Sequence, residues 1–156
     1  PDGMPELTRC LEKLTALPNW KPVAEEEVLT LRINSFSYKL GIPRDYRGHG
    51  GGYVFDCRTL PNPGRIEFYK KYTGRDREIM DFMADKPEVS EFLENIFALV
   101  DQSVEVYTKR GYTNLMVNFG CTGGQHRSVY CAEQLKAYLL GKHPVNIILK
   151  HRELDK

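Results

Sequence analysis

A chain of 156 residues with 41% hydrophobic and 28% charged side chains has the size and composition of one globular domain with a buried core. No apolar run approaches the roughly 18 residues of a membrane span and no signal peptide is recognisable, so a cytoplasmic protein without a membrane partner is expected. The four cysteines, Cys10, Cys57, Cys121 and Cys131, contain no C-x-x-C pair, which argues for a reducing compartment and against a disulfide framework or a metal site, and nothing calls for a cofactor.

In chain order, residues 1–28 read as an N-terminal helix and a linker. Leu7, Cys10, Leu11 and Leu14 share a helical face between Pro5 and Leu17, and Pro18 stops the run. Trp20, in the linker, is expected to anchor this arm to the body. The start at Pro1 rather than methionine leads us to expect a longer parent protein. Residues 29–156 then form the domain. Val28 to Phe36 alternates as a strand with Leu29, Leu31 and Ile33 on one side. Tyr38 to Gly52, with Arg44, Arg47 and His49, reads as a loop suited to cover an anion. Tyr53 to Cys57 reads as a buried strand running into Arg58-Thr-Leu-Pro-Asn-Pro63. Ligands of open α/β sheets sit at the carboxyl ends of strands, which makes Asp56, Arg58 and Asn62 candidates. An Asp56–Arg58 pairing that only organises the turn fits equally.

Thr73-Gly-Arg-Asp76 resembles a capping box before a short helix with Ile79, Phe82 and Met83. Pro87 opens a longer helix through Lys109, with Val89, Phe92, Ile96, Leu99 and Val106 expected inward and Gly111 as its stop. Thr113 to Phe119 is a strand, Ser128 to Leu140 a helix closed by Gly141, and Val145 to Leu149 a last strand. Strand–helix–strand with short connections predicts parallel pairing. The fold class is therefore α/β: a single domain whose mixed, mostly parallel sheet is flanked by helices.

The stretch Leu115 to Ser128 carries the chemistry. Gly120, Gly123 and Gly124 free the backbone for a close approach, and the N–H groups of Thr122 to Arg127 can form a concave anion nest at a helix start. Thr122 and Ser128 add hydroxyls, Arg127 a planar fork for two phosphate oxygens, and His126 a switchable donor. No Gly-Lys-Ser/Thr follows the glycines, so this is not a Walker A loop. Cys121, five residues and Arg127-Ser128 do match C-x5-R-S, the phosphate loop of thiol phosphatases, with Cys121 as nucleophile and Asp56 as the acid. Charge is uneven along the chain. Asp76 to Glu105 holds nine acids against two bases, whereas Tyr107 to Lys156 holds eight bases against three acids. A solvated face explains this, and so does a polyanion partner at the basic end.

Gly120-Cys-Thr-Gly-Gly-Gln-His-Arg-Ser-Val-Tyr130, with Ala132-Glu-Gln-Leu135 after it, resembles the C-terminal domain of the RapZ (YvcJ-type) family of RNase adapters. Phe36 to Pro43, Val54-Phe-Asp56 with Arg58, Leu60-Pro-Asn-Pro63, Thr73-Gly74 and the closing His151-Arg-Glu-Leu-Asp-Lys156 are similar too, so the match is ordered over about Leu29 to Lys156. The resemblance implies a regulatory domain rather than an enzyme. It would bind a phosphorylated small molecule such as glucosamine 6-phosphate through Thr122, Gly123, Gly124, His126, Arg127 and Ser128, with Asp56, Arg58 and Asn62 at the rim. It also implies small RNA as a partner through Lys150, Arg152 and Lys156, an N-terminal nucleotide-binding domain, and a homo-oligomer. Two features depart from the family. Gly64 and Arg65 follow the Leu-Pro-Asn-Pro turn where many members have histidine, and Glu153 and Asp155 dilute the basic end.

Overall fold

The computed structural model of the chain describes residues 28–155. The expected N-terminal helix and linker, with Cys10 and Trp20, lie outside the described residues, as does Lys156.

Four strands form one sheet: β1 (Thr30–Ser37), β2 (Tyr53–Asp56), β3 (Asn114–Cys121) and β4 (Asn146–His151). Their order is β2-β3-β1-β4 and every neighbouring pair is parallel, so the sheet holds no antiparallel strand among the described residues. Helices α1 (Arg77–Ala84), α2 (Pro87–Lys109) and α3 (Arg127–Leu139) complete the domain. Among the described residues the chain is thus an α/β domain with a four-stranded, all-parallel sheet flanked by three helices. β3 and β4 are not neighbours in the sheet. They flank β1, pairing Leu115 and Ile147 with Leu31 from opposite sides.

The period-2 pattern of the strands sets which side meets the helices. Leu31, Ile33, Val117, Phe119 and Ile147 point into one core with Ile79, Met83, Leu135 and Leu139. The alternate residues Arg32, Asn34, Met116 and Lys150 face the other way, onto a side that carries no helix among the described residues. α3 packs directly on β1, β3 and β4, and α1 and α2 pack on α3. Burying each large aliphatic side chain in this layer contributes roughly 1.5–3 kcal/mol.

Two expected features differ. The inward stripe of α2 is Val89, Leu93, Ile96, Val100 and Val104, while Leu99 is 44% exposed. Apolar residues surround much of this helix, so the stripe is chosen by what α3 offers. Phe97, for instance, stacks on Tyr138 with ring centroids 4.1 Å apart. β2 is an edge strand paired only with β3, and its side chains alternate between half-buried and exposed instead of being buried throughout. Burial begins at Cys57, whose N–H continues the pairing to the Gly120 carbonyl at 2.7 Å. The Thr73–Asp76 turn closes as half a capping box: the Asp76 carboxylate accepts from the Thr73 N–H at 2.7 Å, one residue ahead of α1.

Gly120 is required by close approach. A Cβ there would lie 2.4 Å from Phe36 Cζ and 2.5 Å from Tyr38 Cε2, two rings in edge-on contact over this point of the sheet. Gly123 has nothing within 4 Å of the same position. Gly120→Ala is therefore expected to lose about 1–3 kcal/mol of stability through overpacking. Gly123→Ala should stay within about 0.5 kcal/mol of the parent. Urea unfolding of both variants checks the contrast, and equal midpoints would refute it.

Candidate anion-binding site at the carboxyl edge of the sheet

Because all strands are parallel, their carboxyl ends meet at one edge. Ser37 lies beside Cys121, Asp56 beside Gly120 and Ser35 beside His151. The loop from Cys121 to Arg127 crosses this edge and is gripped by three successive side chains. Gln125 Nε2 donates to the carbonyls of Lys70 and Tyr72 at 2.8 and 2.7 Å. His126 Nε2 lies 3.1 Å from the Tyr69 carbonyl. Arg127 Nη1 donates to the carbonyls of Arg58 and Leu60 at 2.8 and 3.1 Å. The backbone is wedged as well. Gly124 has φ +69°, and a Cβ on it would come 2.5 Å from Glu153 Cγ and 2.9 Å from Ser37 N.

What remains open is the lip at Thr122 and Gly123, both exposed. Among the described residues no backbone hydrogen bond uses the N–H of Thr122, Gly123 or Gly124 as donor outside the regular strands and helices. The lip leads to the start of α3, whose N-cap His126 provides no side-chain cap. Unspent amides and an uncapped helix start both favour negative charge. Arg127 is 5% exposed, and its second amino group is directed at the Thr122 hydroxyl, 3.5 Å away. Ser128 is buried, with its Oγ 3.1 Å from Cys121 Sγ, so its hydroxyl faces inward rather than onto the lip.

The rim is a clamp. Arg58 Nε and Nη2 donate to the two Asp56 carboxylate oxygens at 2.9 and 2.7 Å, and the Arg58 guanidinium lies over the Tyr38 ring at 3.8 Å. That bidentate bond, the largest effect, holds the Asp56 carboxyl below the usual carboxylate range; burial opposes it, and the Arg58 N–H adds a smaller downward push. Asn62 is used as a cap, its Oδ1 accepting the Gly64 N–H at 2.9 Å. At the end of β4, Arg152 is paired with Glu153 at 2.8 Å and donates to the Gly41 carbonyl at 2.8 Å, while Lys150 is exposed on the side of the sheet opposite α3. The structure thus brings Asp56, Arg58, Thr122, Gly123, Gly124 and Arg127 to one edge. It turns His126 towards Tyr69, and Ser128 towards Cys121.

Several participants carry no local sequence signal. Glu153 accepts the Ser37 N–H at 2.7 Å and lies against Gly124. Ser35 Oγ, His151 Nδ1 and Nε2, and Glu133 Oε2 form a relay at 2.6 and 2.7 Å. The relay has the residue types of a hydrolase triad, yet Ser35 is 0% and His151 2% exposed, so no substrate reaches it. It fastens the end of β4 to α3, and with it the placement of Arg152 and Glu153. These partners are 18 and 116 residues apart, beyond the reach of any spacing rule.

The model of the RapZ C-terminal domain family matches residues 29–155. The chain belongs to the RapZ C-terminal domain family. Relatives include a nucleotide-binding protein of Thermotoga petrophila, 39% identical over 127 residues, which covers 81% of this chain and 43% of that protein. A nucleotide-binding protein of Herminiimonas arsenicoxydans is 40% identical over 134 residues, covering 85% of this chain and 44% of that protein. This RapZ-type domain thus spans less than half the length of the relatives it matches. Among the described residues, no helix is long and apolar enough to cross a membrane.

Burial sets the protonation of His126. Burial, the largest effect, pushes its pKa below the ordinary 6.5, the Tyr69 and Tyr72 backbone bonds oppose this, and Arg127 adds to the downward push. A depressed pKa means the unfolded chain takes up the proton first as pH falls. The stabilisation is therefore complete above 6.5 and is lost as pH falls through the folded value. Thermal unfolding between pH 7.5 and 5 should show this loss, and His126→Gln should flatten it. An unchanged slope in the variant would assign the effect elsewhere.

Proposed function

We propose that this domain is a regulatory module whose carboxyl edge binds the phosphate of a small metabolite, an amino-sugar phosphate such as glucosamine 6-phosphate or a nucleotide. The observation that carries the reading is the exposed Thr122–Gly123 lip, where unspent amides lead to the uncapped start of α3. A phosphate there would take N–H groups from Thr122, Gly123 and Gly124, the Thr122 hydroxyl, and the amino group of Arg127 directed at that hydroxyl. Arg58, fixed by Asp56 and Tyr38, supplies positive charge at the rim for the rest of the ligand, with Asn62 behind it. The names of the relatives and the share of their length covered here support a parent protein with an N-terminal nucleotide-binding domain. An oligomer, a small-RNA partner and a cytoplasmic setting belong to the same reading.

One observation favours the thiol phosphatase alternative: Cys121 Sγ lies 3.1 Å from the Ser128 hydroxyl, a donor that could stabilise a thiolate. Two oppose it. Cys121 is 2% exposed within the core cluster, whereas an attacking sulfur must come within about 3–3.5 Å of phosphorus. Asp56 is held ionised by Arg58, the wrong state for an acid that must protonate a leaving group. Recognition without turnover fits both facts.

Calorimetric titration with glucosamine 6-phosphate and with nucleotides tests the proposal. Saturable binding is expected, and Arg127→Ala should weaken it by ~1.5–3 kcal/mol, roughly tenfold to a hundredfold. Binding indifferent to Arg127→Ala would sink the site. Aryl phosphate hydrolysis that disappears in Cys121→Ser would instead establish the phosphatase.

A further inference from the structure

The side of the sheet opposite α3 holds a cavity of about 500 Å³, within the usual range for small-molecule sites. It is separate from the Thr122–Gly123 lip and lies between β1, β3, β4 and the segment Leu40–Arg47. Its charge is one-sided: Arg32, Arg44, Arg47, Lys150 and Arg152 line it, and Asp45 is the acid on its wall. That acid is already spent. The Asp45 carboxylate accepts the backbone N–H groups of Arg47, His49 and Gly51 at 2.9, 3.0 and 3.1 Å, which folds the segment over the sheet. Arg152 is paired with Glu153, so the charge left to neutralise comes from three arginines and Lys150.

Arg32 gives the clearest sign that something is missing. It projects from the middle of β1, between Met116 and Ile148 of the neighbouring strands. Its Nε is buried and has no hydrogen-bond partner. A buried guanidinium N–H without an acceptor costs roughly 1–3 kcal/mol, which an anionic oxygen bound there would recover. The remaining wall is apolar. Met116 and Ile148 form the floor, and Leu40 and Ile42 project from the covering segment with more than half of their surfaces exposed. Tyr46 is 90% exposed at the same wall, a ring with no packing role in the fold.

We propose that this cavity is a second ligand site, for a nucleoside polyphosphate whose phosphates meet Arg32, Arg44, Arg47 and Lys150 while its base lies on the apolar wall beside Tyr46. Four cations exceed the roughly −1.5 to −2 charge of a single phosphate monoester at pH 7, and a polyphosphate chain matches them better. The apolar wall and exposed ring require a flat, poorly hydrated body, which inorganic polyanions lack. A nucleoside diphosphate or triphosphate carries both halves in one molecule of the right size. This proposal does not depend on the carboxyl-edge site.

The two halves can be separated by calorimetry at low salt with ATP, adenosine and inorganic pyrophosphate. ATP is expected to saturate one site, with adenosine and pyrophosphate each at least about tenfold weaker. The double variant Arg44→Ala/Arg47→Ala, in an exposed segment, should weaken ATP about tenfold or more. Arg32→Met should do the same where circular dichroism shows it folded. Tyr46→Ala should weaken ATP but not pyrophosphate. The proposal fails if ATP does not saturate by millimolar concentrations or if the double variant binds it like the parent. It also fails if glucosamine 6-phosphate displaces ATP, which would place the nucleotide at the carboxyl edge. Binding of single-stranded oligonucleotides that strengthens with length, while ATP remains unbound, would overturn it in favour of a nucleic-acid face.

Discussion

A buried guanidinium organises the carboxyl edge. Arg127 opens α3 yet is nearly inaccessible, and its Nη1 is consumed by the carbonyls of Arg58 and Leu60. Withdrawing a permanent cation from water is costly unless hydrogen bonds and negative charge replace the lost hydration. The two carbonyls supply the bonds. Part of the charge comes from Asp56, whose carboxyl Arg127 helps to depress after the larger effect of Arg58. The turn after β2 is thus tied to the start of α3 by the same residue that faces the open lip. On the proposed reading, an anion arriving beside Thr122 would complete a neutralisation the fold leaves partial, so stability and the proposed phosphate binding would share one group.

The neighbouring anchors follow the same logic. Gln125 and His126 spend their side chains on carbonyls of the 69–72 segment, and Gly74 lets that segment sit where a Cβ would come 2.4 Å from Tyr130 N. Three consecutive residues therefore grip two distant segments, 69–72 and 58–60, and none is free to flex without breaking a bond. The outcome is a rigid loop with a small exposed apex. Fixed donors lose little entropy when a ligand arrives, which is how a short loop can bind a phosphate selectively. Rigidity also explains why glycine is needed at 120 and 124, where the crowding is steric, whereas at 123 its use is exposure of the backbone.

Much of this was legible in the chain. The period of Leu29, Leu31 and Ile33, the Pro87 and Gly111 boundaries of α2, and the strand–glycine–helix signature at 115–128 all rest on local rules, and they place β1, α2, β3 and α3 within a residue or two. Parallel pairing followed from the short connections. Side-chain destinations were not legible, because they depend on which distant segment arrives. Nothing near Arg127 in sequence says that its acceptors are Arg58 and Leu60, or near His126 that its ring meets Tyr69. The inward stripe of α2 shows the same limit, since Phe92, Leu93, Leu99 and Val100 are equally apolar and only the surface of α3 separates them. For Asp56 and Arg58 the two readings left open by sequence are compatible: the pair organises its turn, and in doing so fixes a cation at the rim.

Cys121 shows how one residue pattern can serve two chemistries and how burial discriminates between them. Its place at the end of β3 and its contact with Ser128 satisfy the spacing of a phosphate-loop nucleophile. But the strand's alternation puts Cys121 on the same side as Val117 and Phe119, in the core layer that also holds Cys57 and Cys131. The Cys57 thiol in that layer is pushed well up, first by burial and then by the neighbouring Cys131. A nucleophile needs access from the lip, yet the lip is formed by the next two residues, whose backbone faces solvent while the sulfur faces α3. The proposed binding would use the amides that the loop exposes, whereas catalysis would require the side chain that it hides. The same five-residue loop is therefore compatible with the proposed recognition as it stands, and would permit attack only if the end of β3 turned over and broke its register with Ser37.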